Sequence, residues 1–310
     1  MPTVATGTAG TIGNLQAEQQ TYFARTLLKQ AKYKTLLDQF AYTEKIPAAS
    51  SKTIQFNQYS DLPLATTPLA EGTPPAETQL TVTPITATID QLGSYTILTD
   101  LANLTTKHPV MTKTNELLGT QAARTYDRLI NATVVAGTNV IYPGAVTSRV
   151  TVANSSKLTF TEVKKAVAML RKNGANEFDD GNFVCVIDPS VEIDLLDDTS
   201  YANTVYRQTG KNELYKGAIT TFAGVTFVRS NNIPVLTGAG ATAADVHTSY
   251  IFGQDAFAVT DLQTLQMYKE APGGVTDPLH QKMTLGWKVG FKSVILNQNW
   301  LIRLESGSLN

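Results

Sequence analysis

Metal, thiol and acid–base chemistry all need particular side chains, and the chain offers few of them: His108, His247, His280, the single cysteine Cys185, and the acidic pairs Asp179–Asp180 and Asp197–Asp198. The histidines are too scattered to spell a metal motif and read as surface residues. Cys185 lies in the apolar run "FVCVID". It has no second cysteine to pair with, and a thiol in such a run reads as a buried strand residue rather than a nucleophile. The aspartate pairs stand beside helix ends and turns, where capping is their ordinary work. "NEFDDGNF" lacks the alternating ligand spacing of a calcium loop. Gly7, Gly10 and Gly13 resemble a phosphate loop only superficially, because no strand precedes them and no Lys-Ser/Thr follows. No G-x-S-x-G, H-E-x-x-H or Cys/His cluster occurs. The expectation is a protein without catalytic, cofactor-binding or metal residues.

The totals agree with that expectation. The 310 residues suffice for one large or two ordinary domains. Charged residues make up 16% of the chain, against about a quarter in ordinary globular proteins. So low a charge fits either a surface largely covered by other protein or a Thr/Asn/Gln-rich solvated one. A net charge of −1 argues against a dedicated nucleic-acid binder, though not against incidental contact. The opening "MPTVATGTAGTIGN" has neither the basic nor the apolar region of a signal peptide. No apolar run reaches membrane-spanning length, so the expectation is a chain made and kept in a cytoplasm.

The elements follow from periodicity and punctuation. Residues 1–13 are Gly/Thr/Ala-rich, and "LQAEQQTYFARTLLKQAKYKTLLDQF" (15–40) reads as one or two short helices that dock elsewhere. "KTIQFNQYS" alternates Ile54 and Phe56 with Gln55 and Asn57, which predicts a strand. "QLTVTPITATIDQLGSYTILTD" is β again. Between them lies "LPLATTPLAEGTPP", with prolines 63, 68, 74 and 75, followed by Pro84 in the returning strand. These prolines cannot all sit inside a sheet, so the expectation is an open, edge-like hairpin.

The clearest helix spans 109–137. Met111, Leu118, Ala122, Thr125, Leu129, Ala132 and Ala136 set its stripe, Pro109 suits its first turn and Gly137 its stop. Its length would be about 40 Å. From Thr159 an α/β unit begins. Thr159 and Glu162 predict a capping box and Gly174 a terminator. "NFVCVID" is a buried strand, Asp188 and Pro189 start a second helix, and "GVTFVRSNNIP" is a further strand. "TGAGATAADVH" (237–247) reads as a flexible loop. In "TLGWKVGFKSVILNQNWLIRLE", Trp287, Val289 and Phe291 alternate with Lys288, Gly290 and Lys292. With 256–270 and the last strand "WLIRLE", this predicts a long antiparallel sheet against the helix.

The order of arm, extended hairpin, very long helix, α/β unit and returning sheet resembles the major capsid proteins of tailed bacteriophages, the Hong Kong 97-type fold. "SKTIQFNQYSDLPLATTPLAEGTPP" and "ATIDQLGSYTILTDLANLT" are similar to the two sides of that family's extended loop. "ELLGTQAARTYDRLINATVVAGTNVIY" looks like the spine helix of the N4-type phage subfamily. "FAGVTFVRSNNIP" and "LGWKVGFKSVILNQNWLIRLE" resemble its later strands. The resemblance runs from about 15 to 305.

The resemblance implies an α+β chain with an N-terminal arm (1–43), an extended loop (45–98), a peripheral domain (99–157 and 251–310, with spine helix 109–137) and an axial domain (158–250). It implies a shell subunit assembling through hexamers and pentamers around phage DNA, in the virion, after assembly in the host bacterial cytoplasm. Implied partners are a separate scaffolding protein and a portal, a decoration protein, and packaged DNA by non-specific contact, with no membrane. The Thr/Pro stretch then has no core of its own because a neighbouring subunit supplies it. Leu62, Pro63, Leu64, Pro68, Leu69, Glu71, Pro74 and Pro75 are the expected intersubunit residues. An encapsulin-like compartment shell is the alternative, and a β-rich surface-binding module ranks below both.

Overall fold

The computed structural model describes residues 25, 27, 35–46, 51–60, 62–66, 68, 71–72, 77–105, 110–198, 221–270, 277, 279 and 281–308. In chain order its elements are β1 (Tyr42–Lys45), β2 (Thr53–Tyr59), β3 (Val82–Thr88), β4 (Asp90–Thr99), α1 (Asp100–Thr105) and α2 (Val110–Val135). There follow β5 (Val140–Ile141), α3 (Phe160–Lys172), β6 (Phe183–Ile187), α4 (Pro189–Leu196), β7 (Thr221–Phe222) and β8 (Val225–Arg229). The last four are β9 (His247–Phe252), β10 (Phe257–Glu270), β11 (Lys282–Ile295) and β12 (Leu301–Ser306). Most of the helices expected over 15–40 lie outside the described residues, as do His108, Pro109 and His280.

Helix α2 is the long element that the periodicity predicts, 26 residues and about 39 Å. It lies on a four-stranded sheet of order β1-β10-β11-β4. Alternation along β11 turns Leu285, Trp287, Val289 and Phe291 inward, where they join Leu118, Ala122, Ile130 and Val134 of α2 in one core. The indole of Trp287 donates to Gln121 Oε1 at 3.2 Å, and the ring of Tyr126 lies 4.2 Å from that of Phe291.

The buried stripe differs from the expected one in its second half. Leu118 and Ala122 are buried, but Leu129, Ala132 and Ala136 face outward. Ile130 and Val134 take their place, with Asn115, Asp127 and Asn131 on the same buried face. These polar residues interrupt the apolar pattern and hide its true phase. Gly137 ends the helix for a packing reason: a Cβ there would stand 2.6 Å from Leu301 Cδ2.

A second core lies between α3 and a six-stranded sheet of order β5-β12-β9-β6-β8-β7. The capping box is present: the Thr159 amide donates to Glu162 Oε2 at 3.2 Å, and the two side chains meet directly. Gly174 follows the helix at φ +66°, a conformation that suits glycine. Asp188 caps α4 by accepting from the Ser190 amide, with Pro189 in the first turn.

Two expectations need correction. The final strand β12 does not join the long sheet with β10. It pairs antiparallel with β9 and parallel with β5, inside the six-stranded sheet. A short helical turn at Gln298–Trp300 redirects the chain, and β12 is buried along its whole length. Leu301 enters the first core while Ile302 and Leu304 enter the second, which a central strand with two covered faces can do. The segment 237–247, read as flexible, is tied down. Gly240 N donates to Ala244 O, Ala241 N to Val152 O, and Gly238 N to Asp245 Oδ1, all within 2.9 Å.

Candidate intersubunit surface

Strands β2 and β3 form a two-stranded antiparallel hairpin, in register from Thr53–Thr88 to Tyr59–Val82. Pro84 stands opposite Asn57 and is tolerated because the ribbon has free edges. The base of the hairpin is anchored: Ala87 and Ile89 are buried, and the Ile89 amide donates to Lys52 O at 3.0 Å. Phe56 meets Tyr42 edge-on at 6.4 Å.

Beyond Tyr59 the anchoring stops. Leu62, Pro63, Leu64, Pro68 and Glu71 are all exposed, Leu64 by 88%. Leu69, Pro74 and Pro75 lie outside the described residues. The described loop residues lie beyond the anchored base and leave their apolar side chains open.

The residues with chemical potential have structural work. Burial pushes the Cys185 thiol far up from its ordinary range, away from the thiolate a nucleophile needs. His247, expected at the surface, is instead buried, with Nδ1 3.1 Å from Asp188 Oδ2, where it supports the cap of α4. Burial would raise Asp188, but the His247 contact and the Ser190 amide together hold it below the usual carboxylate range. Asp198 Oδ2 accepts from the Phe160 amide at 2.9 Å. Among the described residues, no three His, Cys, Asp or Glu side chains converge on a metal position, and no helix is long and apolar enough to cross a membrane.

Two buried polar junctions escaped the sequence. Asp127, inside α2, accepts from the amides of Leu36 and Leu37 at 3.2 Å each, from Asn232 Nδ2 at 3.0 Å and from Asn131 Nδ2. It thereby joins the segment before β1, helix α2 and the segment after β8. Beside it the Tyr126 hydroxyl donates to Asp38 Oδ1 at 3.0 Å. Burial, with Asp38 close by, raises Asp261 on the adjoining strand.

The second junction centres on Glu305, which is fully buried. Arg149 clasps it with two bonds, 2.9 and 2.6 Å, and Arg303 Nε lies 2.7 Å away. Arg303 also donates to the Val135 carbonyl, at the negative end of the helix dipole. The sequence signals are faint: Asp127 stands with Asn115 and Asn131 on a face otherwise made of apolar and small residues, and Arg303 shares a strand face with Glu305.

The outer face of α2 forms a shallow groove of about 380 Å³, where Leu117, Arg124 and Arg128 line one wall and Asn232 closes the other.

The model of the family described as "Phage capsid protein" matches residues 82–295. The capsid structure of cyanophage P-SCSP1u superposes with a TM-score of 0.69 at 19% identity, covering 88% of both chains. The capsid of cyanophage Pam1 gives 0.67 at 16% identity, over 90% of this chain and 92% of that one. The capsid of Ralstonia phage GP4 gives 0.66 at 14% identity, over 89% and 92%. At such identities the likeness shows the fold. No curated protein sequence matches the chain.

Proposed function

The chain belongs to the phage capsid protein family, and from that premise we propose how this major capsid subunit builds its icosahedral shell. It assembles through hexamers and pentamers, with the loop at about 60–80 laid across an adjacent subunit. The observation that carries this reading is the exposure of Leu62, Pro63, Leu64 and Pro68 beyond a hairpin whose base is anchored. Ordering such a segment costs roughly 1–2 kcal/mol per residue in backbone entropy. A neighbour's surface supplies the burial that offsets the cost. The prolines lower that cost and block open-ended strand pairing.

The arm at 1–43, the loop at 45–98, the peripheral parts 99–157 and 251–310 and the axial part 158–250 act as the working units of that subunit. The role is structural, without catalysis. Assembly takes place in the host bacterial cytoplasm with a separate scaffolding protein and a portal. A decoration protein binds outside, and packaged DNA is touched non-specifically. The text of the spine helix supports placement near the N4-type phages and favours a phage shell over an encapsulin-like compartment.

The test is deletion of residues 64–76. The deleted chain should fold as a soluble monomer, with near-unchanged thermal unfolding, and should fail to assemble. Unfolding of the monomer, or normal assembly without these residues, contradicts the loop assignment.

A further inference from the structure

Charge is unevenly spread along the chain. Residues 53–106 contain no lysine or arginine, yet carry Asp61, Glu71, Glu77, Asp90 and Asp100. Asp90 is paired with Lys292 at 2.8 Å, and the Asp100 carboxylate accepts from the Leu101 amide. Glu71 and Glu77 form no ion pair with any described residue and are exposed. This stretch of chain therefore carries two carboxylates that pair with no described residue, together with Leu62 and Leu64, which are 58% and 88% exposed.

The outer face of α2 offers the complement. Arg124 and Arg128 stand one turn apart, exposed, and neither pairs with a described carboxylate. The i, i+4 spacing places the two guanidinium groups on one face, about 6 Å apart along the axis. Leu117 lies seven residues before Arg124, on the same side of the helix, and is 69% exposed. A large apolar side chain left open beside two unpaired cations fits a partner that is both acidic and apolar. A nucleic-acid backbone would answer the arginines and leave Leu117 uncovered. Reach is adequate: a segment as long as 60–81, doubled back at about 3.3 Å per residue, can span up to about 35 Å.

We propose that the acidic loop of one copy docks on the Leu117–Arg124–Arg128 face of α2 in a second copy, its carboxylates on the arginines and its leucines over Leu117. This rests on the reading of the loop as an intersubunit element and names the surface that receives it. Complementary charge fixes register and direction around a ring of identical subunits, while apolar contact supplies the affinity. Salt weakens the exposed pairs, so assembly slows as ionic strength rises.

A charge-swap series tests the proposal under conditions in which the unmodified chain assembles. Arg124→Glu with Arg128→Glu, and separately Glu71→Arg with Glu77→Arg, should each lower the assembled fraction at least tenfold by sedimentation. The four substitutions together should restore most of it. Failure of the fourfold variant to exceed either pair, or normal assembly of the arginine pair, overturns the docking surface. If the arginine pair assembles normally but loses affinity for a duplex DNA by fluorescence anisotropy, the face serves nucleic acid instead. A second readout avoids dependence on charge: Leu64→Cys with Leu117→Cys, oxidised after assembly, should give a ladder of covalent oligomers, and particles without a ladder overturn the proposal. Deletion of 64–76 separates the two levels. If deletion abolishes assembly while the charge swaps do nothing, only the docking surface falls; if deletion leaves assembly intact, the loop reading falls as well.

Discussion

The Asp127 carboxylate lies 3.2 Å from the amide of Leu37, ninety positions earlier in the chain. That bond ties the segment before β1 to the second half of α2. It also satisfies an amide at the start of the short helical turn Leu37–Phe40, whose first amides have no partner within the turn. Asn232 donates to the other carboxylate oxygen, so the segment after β8 is held by the same side chain.

Asp127→Ala should therefore loosen the segment 36–46 more than the core. The buried Leu37 amide, the half-buried Leu36 amide and the Asn232 side chain lose their acceptor, at about 1–3 kcal/mol for each group left unsatisfied and least where water can enter. Hydrogen exchange should show lost protection at residues 36–46 with little change in β10 and β11. Equal loss of protection everywhere would mean that Asp127 supports the whole fold rather than that segment.

Ala122 is 2% exposed in the core that also holds Trp287 and Phe291. Ala122→Asp buries an unpaired charge there, a cost of several kcal/mol. The expected result is insoluble or unfolded protein on expression. A soluble variant that assembles normally contradicts the packing of α2 on the four-stranded sheet.

Among the described residues, Glu305 is the buried anion that pairs with both Arg149 and Arg303. Glu305→Gln leaves the nearly buried Arg303 uncompensated, while the part-exposed Arg149 keeps water, and should cost about 3 kcal/mol. Denaturant unfolding measures it directly. A loss under about 1 kcal/mol would show that the cluster is screened by water.

Asp188 makes the acid limb of stability partly legible. Its carboxyl is held below its ordinary value of 3.8, so the stability it contributes is present above that value and is lost as pH falls through the lower folded-state value. Asn caps helices about as well as Asp, so Asp188→Asn isolates the charge. The variant should be less stable than the parent near neutral pH, and the gap should close below about pH 4. A gap that stays constant from pH 7 to pH 3 contradicts the assignment.

The sequence was readable where the physics is local. Thr159 and Glu162 sit three residues apart and announce their own capping box, and Trp287, Val289 and Phe291 announce their strand by alternation. The exposed loop announced itself by what it lacks, since residues 62–90 hold five prolines and no basic or aromatic side chain. Asp127 and Glu305 were not readable, because their partners lie 90 and 156 residues away. The placement of β12 was hidden for a different reason. "WLIRLE" carries apolar residues toward both faces, which fits a central strand in either sheet, and only the turn at Gln298–Trp300 decides between them. A surface on another copy leaves no trace in one chain except charge, and the proposal rests on Arg124 and Arg128, which pair with no described carboxylate.

The central claim is that this chain is a shell subunit held to its neighbours through the extended loop. The most direct measurement is electron microscopy of the purified full-length protein across a concentration series, beside the 64–76 deletion. The account predicts five- and six-membered rings or closed icosahedral particles from the full chain, and only small folded subunits from the deletion. A full chain that stays monomeric at every concentration, or a deletion that closes into the same particles, would contradict it.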